Sequence, residues 1–249
     1  MTSDICRFLL VVTGKGEEEF LPDLFRVIMA RACCTFRVIR RIGQRNPVTS
    51  SKRLAEMAGG RRTPDMTKDE QDIGLPVLGY LRRYPGSYAM VVDDLESDRR
   101  PNADAVFARY RTALDETLIP SGLQRRAAVF FLVNMLEAYY FADHRAVNGV
   151  AGTEVLSADH PSDVEQIRNP KADLKRLWKG FSEIRHGKQI VKRLDLEHVL
   201  SRPEECCWLR AMFAWCVAKL AKSNAIHDPL LNDAFCLADG CQASVTSGQ

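Results

Sequence analysis

Acidic side chains gather at three places far apart in this chain: Glu17-Glu18-Glu19, Asp93-Asp94 with Glu96, and Glu137. Carboxylates converging from such distant segments suit a hard divalent cation, since Mg²⁺ takes oxygen ligands and uses one or two carboxylates beside water and substrate phosphate. Glu137 is the leading candidate. It stands between Leu136 and Ala138 in a largely apolar run, where a carboxylate is costly to bury unless it has a partner or an ion. Asp93 follows directly on Met90-Val91-Val92, the position at which the chemistry of a parallel sheet collects. Its plainer reading is that Asp93-Asp94 caps a turn. Glu18 and Glu19 also have a structural reading, because acids in the first turn of a helix complement its dipole. Asp98 reads as solvent-facing.

The glycine turn Thr13-Gly14-Lys15-Gly16 precedes the first acidic group. It lacks the spacing of a Walker loop and the third glycine of a dinucleotide fingerprint. Lys15 either touches a phosphate beside a helix amino terminus or is an exposed loop lysine. A second cationic region runs over 171–193, where Lys171, Lys175, Arg176, Lys179, Arg185, Lys188, Lys192 and Arg193 face only Asp173 and Glu183. Such a surface grips a phosphate backbone or is simply a solvated helix face, and Trp178 and Phe181 within it either stack on bases or fill the core. His186, in Arg185-His186-Gly187-Lys188, reads as lying in a turn among cations, within reach of a scissile phosphate. His144, His160, His198 and His227 form no usable pattern. No serine or cysteine sits in a nucleophile signature.

These residues need elements to position them. Residues 7–12 form an apolar run ending at glycines, which predicts a strand covered on both faces. Phe20, Leu21, Leu24, Phe25 and Ile28 follow at helical spacing over 17–29. A strand is expected at 35–39, then a long crossover over 40–72 with a short helix at 52–57. A helix at 75–84, a strand at 88–92 stopped by Asp93-Asp94, a helix at 103–118 and a strand at 128–133 running into a helical 135–143 complete an alternating pattern. That alternation predicts an α/β parallel sheet flanked by helices over 1–150. Beyond it, helical patterns at 171–179, 189–200 and 205–222 predict a helical C-terminal lobe over 151–249 packed on the sheet.

With 249 residues and 46% hydrophobic content the chain can bury a sizeable core, and a net charge of +3 leaves recognition to local clusters. The eight cysteines form no C-x-x-C pairs, which argues against structural zinc and for free thiols. No signal pattern opens the chain and no apolar run reaches the roughly 20 residues of a spanning helix, so a soluble cytoplasmic protein without membrane attachment is expected, and an oligomer is compatible with it.

The series Val11-Val12-Thr13-Gly14-Lys15-Gly16-Glu17, Val91-Val92-Asp93-Asp94-Leu95-Glu96, Met135-Leu136-Glu137-Ala138-Tyr139-Tyr140-Phe141-Ala142-Asp143, Asn169-Pro170-Lys171 and Arg185-His186-Gly187-Lys188 resembles a bacterial family of Toprim-related proteins. Toprim is the catalytic domain of topoisomerases, primases and overcoming-lysogenization-defect nucleases. The resemblance implies a Toprim-like sheet with a Mg²⁺ (or Mn²⁺) site, nuclease action on nucleic acid, and a phage-defence setting beside an ABC-type or AAA ATPase. It differs from the family in carrying Thr13-Gly14 where Glu-Gly is usual, and in keeping Asp-x-Glu only as Asp94 and Glu96. On this reading Asp93, Asp94, Glu96 and Glu137 hold the metal and Glu17, Asp93 and Glu137 serve the chemistry. Lys15, Lys171, Lys175, Arg185, His186 and Lys188 bind the nucleic acid. The rival expectation is a degenerate Toprim subunit that binds or regulates a partner ATPase and cleaves nothing.

Overall fold

A computed structural model of the protein describes residues 5–46, 66–202, 204–223 and 225–226. Four strands, β1 (Cys6–Val12), β2 (Cys34–Arg41), β3 (Ser87–Leu95) and β4 (Ala127–Val133), form one sheet in the order β2-β1-β3-β4 with every pairing parallel. The fold is therefore α/β, a parallel sheet flanked by helices. Because β2 lies on one side of β1 and β3 on the other, the chain reverses its direction of travel across the sheet between β1 and β3. A crevice opens at such a reversal, outside the carboxyl ends of the two strands.

Side chains alternate between the two faces of a strand. Phe8, Leu10, Val12, Met90, Val92, Ala128, Phe130 and Leu132 enter one core cluster, while Leu9, Val11, Ala89, Val91, Leu95, Val129, Phe131 and Val133 enter the other. Both faces are buried, which explains why the strands read as unbroken apolar runs. The second face is covered by α3 (Leu75–Arg83), α4 (Ala103–Leu118) and a π-helical turn at Glu70–Gly74. The first is covered by α1 (Lys15–Leu24), α2 (Arg26–Met29) and the helical C-terminal region, comprising α5 (His144–Ala151), α6 (Pro170–Leu177), α7 (Glu183–Val191), α8 (Leu196–Val199) and α9 (Cys207–Lys222). Leu174, Ile190, Leu209 and Phe213 share one continuous core with β1 and β3. Phe25 is stacked between Phe36 (4.1 Å) and Phe213 (5.0 Å), contacts worth about 0.5–1.5 kcal/mol each beyond area burial.

Several boundaries differ from those expected. The helix over 17–29 is two: α1 continues through Pro22 to Leu24, and the chain turns at Phe25 before α2. The helix over 189–200 is replaced by α7 and α8, with Asp195 accepting from the His198 N–H to start the latter. A turn with left-handed φ at Asn134 (55°) and Met135 (75°) separates β4 from a 3₁₀ segment, Leu136–Ala142. Most consequentially, β3 does not stop at Asp93-Asp94 but runs through both to Leu95. The short helix expected at 52–57 lies outside the described residues. Cys6, Cys33, Cys34, Cys206 and Cys216 are free thiols, whereas Cys207, expected free, is disulfide-bonded. Among the described residues no helix is long and apolar enough to cross a membrane.

Candidate functional site

Asp93 and Asp94 occupy successive positions of a strand, so their side chains leave opposite faces of the sheet. Asp94 turns to the face covered by α1, where it meets Glu17, and feels Glu137 from the segment after β4. Three of the expected carboxylates are thereby near enough to perturb one another at the carboxyl end of the sheet. Glu17 and Asp94 lie close enough that each changes the other's affinity for a proton.

Burial raises the Asp94 carboxyl well above the ordinary range, and the charges of Glu17 and Glu137 push it further. Glu17 is raised by burial as well, with Asp93 adding to the effect and Lys171 opposing it. Glu137 is lifted to about 7, chiefly by burial and then by Glu17, against the pull of Lys171. Glu17 Oε2 and Asp94 Oδ1 are shut off from solvent without a hydrogen-bond partner, and so is the Tyr140 hydroxyl, whose own acidity is suppressed by burial and by the same three carboxylates. Gly14 explains how Glu17 fits: a Cβ at that position would lie 1.7 Å from Glu17 Oε2. The glycine turn is thus clearance for a carboxylate folded back over it, and Gly14 starts α1 without a side-chain cap.

The donor set suits a divalent cation, being three oxygen-only side chains with unmatched negative potential and two orphaned oxygens. Among the described residues no three His, Cys, Asp or Glu side chains stand together in ligating arrangement. Holding an ion would require Glu17, Asp94 and Glu137 to draw together around it.

Asp93 has a different part. It is fully buried, and Oδ2 accepts from Arg99 (2.6 Å) and the Tyr110 hydroxyl (3.0 Å) while Oδ1 accepts from Thr13 Oγ1 (2.7 Å) and Arg99 (3.3 Å). Its acceptor positions are filled from within the protein, so Asp93, expected as a ligand and catalytic group, is placed here as an anchor for the end of β3. Arg99 also donates to the Asp94 carbonyl (2.7 Å) and the Arg45 carbonyl (2.7 Å), and Arg45 in turn pairs with Asp69 and Asp72 at 2.7 Å each. This network holds the end of β3, and with it the backbone that presents Asp94. Thr13, directly after β1, is a strut between β1 and β3 through Asp93.

Glu96 lies on the wall of a cleft of ≈ 580 Å³ whose other walls include Asn134, Arg168, Lys171 and Lys175. Lys171 reaches Glu183 at 2.5 Å and Lys175 reaches it at 2.8 Å, so part of the expected positive surface is internally compensated. Burial opposes the charge on Lys171, but Glu183, Glu137 and Glu96 more than restore it. Arg185 and Lys188 project from α7 and are exposed, and no carboxylate among the described residues pairs with either. Lys15 is exposed at the start of α1, 3.9 Å from Glu19. His186 is not in a turn: it belongs to α7, its Nδ1 accepts from the Ser182 N–H (3.0 Å), and its ring stacks on Trp178 at 4.5 Å. Phe181 fills the core.

Two groups of consequence escaped the sequence reading. Glu165 is buried with a carboxyl lifted to about 7 by burial, yet it accepts from Tyr139 (2.9 Å) and from the Leu209 (3.1 Å) and Trp208 (3.3 Å) N–H groups that open α9. Its place in a polar loop gave no sign of burial. Arg99, in the run Asp98-Arg99-Arg100, looked like any surface arginine. No curated protein and no solved structure matches the chain. A family model does, over residues 12–215, a span that runs from the end of β1 to within α9 and includes every member of the carboxylate cluster. The chain belongs to the family described as Domain of unknown function (DUF4276).

Proposed function

We propose that the protein is a Mg²⁺- or Mn²⁺-dependent nuclease-like protein of Toprim type acting on nucleic acid, with Glu17, Asp94 and Glu137 as its centre. The observation that carries this reading is the convergence of those three carboxylates, mutually repelling and partly orphaned, at the crevice where the sheet reverses its strand order. Like charges are not concentrated out of water for stability, so the arrangement argues for a cation that neutralises them. When bound, such an ion supplies Lewis-acid polarisation of a phosphodiester. The chain's own residues do the rest. Lys171, tied to Glu183 and facing Glu137 and Glu96, places a positive charge at the mouth of the site. Lys175, Arg185 and Lys188 continue that charge along α6 and α7 for a polyanion, and Glu96 borders the same cleft. A carboxyl titrating near neutrality, as Glu137 does, is suited to taking up or giving a proton.

The test is nicking of a supercoiled plasmid with Mg²⁺ and Mn²⁺ by wild type, Asp94→Asn and Glu137→Gln. Cleavage by wild type alone is expected. Equal background in all three refutes the enzymatic reading. The second reading, a degenerate subunit serving an ABC-type or AAA ATPase in phage defence, is favoured by one observation: Thr13 and Asp93 are spent on each other and on Arg99. Such a subunit would co-purify with its ATPase with equal yield whether or not Glu137 is intact.

A further inference from the structure

A second cleft, of ≈ 350 Å³, lies beside the first and is lined by Ser97, Arg100, Pro101, Asn134, Gln166 and Arg168. It shares Ser97, Asn134 and Arg168 with the cleft that Glu96 and Lys171 border, so the two adjoin. Their chemistry differs. The first is lined by acids and cations together, whereas the second has two arginines and no acid. Arg168 is exposed and among the described residues has no carboxylate partner. Arg100 donates to the Glu165 carbonyl (3.0 Å) and to Gln166 Oε1 (3.1 Å), neutral acceptors that fix the side chain and leave its charge unpaired.

The wall common to both clefts is itself unusual. Asn134 and Met135 are consecutive non-glycine residues with left-handed φ, a conformation that costs on the order of 1–3 kcal/mol per residue and gathers at ligand sites. The Asn134 amide is 98% buried, and its orientation follows from its Nδ2 donating to the Glu165 carbonyl at 2.9 Å. The opposite end, Oδ1, is buried with no hydrogen-bond partner. Two uncompensated guanidinium groups therefore meet in one acid-free hollow beside this strained turn. Guanidinium forks match phosphate oxygens two at a time, which is why arginine recurs where phosphate is recognised.

We propose that Arg100 and Arg168, with the Ser97 hydroxyl, form a subsite for a backbone phosphate of a nucleic-acid strand. The inference rests on the nuclease-like reading and deepens it: a substrate engaging both places is a polynucleotide, not a phosphomonoester. The shared chemistry is a phosphate dianion or diester, and its source is either a strand or free phosphate.

The experiment measures fluorescence anisotropy of a labelled oligothymidylate with EDTA present, so that neither metal nor cleavage enters, across a salt series. The proteins are wild type, Arg168→Ala, Arg168→Lys and, as control, Arg82→Ala at the amino-terminal edge of the sheet. Calorimetry with inorganic phosphate runs in parallel. Arg168→Ala should weaken binding on the order of tenfold, and the salt slope should fall by about 0.7, the share of one single-strand phosphate contact. Arg168→Lys should recover part of the loss and Arg82→Ala should match wild type. Wild-type binding with an unchanged Arg168→Ala affinity and slope overturns the subsite and leaves the nuclease-like reading standing. Phosphate uptake that depends on Arg168, without oligonucleotide binding, overturns the strand as ligand. Binding of neither probe overturns both.

Discussion

Replacing Glu137 by glutamine should make the protein more stable at neutral pH, with a size that follows from its surroundings. The Glu137 carboxyl is moved from its ordinary 4.5 to about 7, chiefly by burial and then by the neighbouring Glu17. At about 1.36 kcal/mol for each tenfold change in proton affinity, that displacement corresponds to about 3 kcal/mol. The sign follows from proton counting. Between the two values the folded chain holds a proton that the unfolded chain has lost, so stability is full below about pH 4.5 and declines as pH rises through about 7. Glutamine imitates the protonated form and carries no such penalty. Wild type and Glu137→Gln should therefore melt alike at about pH 4. By about pH 8 the variant should lead by about 3 kcal/mol, or roughly 6–12 °C for a chain of this length. Differential scanning calorimetry across that range measures it. Mn²⁺ at a hundredfold excess over its dissociation constant should return about 2.7 kcal/mol to wild type at the alkaline end and markedly less to the variant. Parallel stability curves for the two proteins across the whole range would refute the reasoning, for they would mean that Glu137 titrates as a solvated carboxyl and that no cluster surrounds it.

Three further perturbations separate the site from its supports. Gly14→Ala places a Cβ 1.7 Å from Glu17 Oε2; the end of a flexible side chain can swing away, so melting should change by less than about 1 kcal/mol while Mn²⁺ affinity by calorimetry falls at least on the order of tenfold. Arg99→Ala strands the buried Asp93 carboxylate and should cost about 3–5 kcal/mol in urea unfolding, in contrast to Arg168→Ala, which should cost almost nothing. Gly74→Ala brings a Cβ to 2.4 Å from Thr117 Oγ1 and 2.6 Å from the Ala113 carbonyl, a clash with the backbone of α4 that should cost about 1–3 kcal/mol and leave metal affinity unaltered in the folded fraction.

How much of this was legible in the sequence depends on the range of the interaction concerned. The alternation of apolar runs with helical periodicity is local, and it correctly indicated a parallel sheet with helices on its faces and a helical C-terminal region. Glu137 was marked by its apolar neighbours, and its raised affinity for a proton agrees with that signal. Asp93 and Asp94 were another matter. Their pairing at the end of an apolar run suggested a shared role, but β3 continues through both, and a strand's two-residue period sends them to opposite faces. The stop expected at Asp93-Asp94 failed because a tertiary partner overrode the local turn preference: Asp93 is satisfied by Arg99, Tyr110 and Thr13, so a charged residue can remain inside the strand.

His186 and the 171–193 cations illustrate the same limit. Their types were visible, yet stacking on Trp178 and pairing with Glu183 are contacts between helices that no spacing rule encodes. By itself the sequence determined which segments form strands and helices, and which carboxylates lie at their ends, because periodicity and burial cost are properties of short stretches. Only the tertiary structure decided that Glu17, Asp94 and Glu137 face one another while Asp93 faces Arg99, because the partner of a charge buried in a folded chain is chosen by sheet order and strand register, which join residues far apart along the backbone.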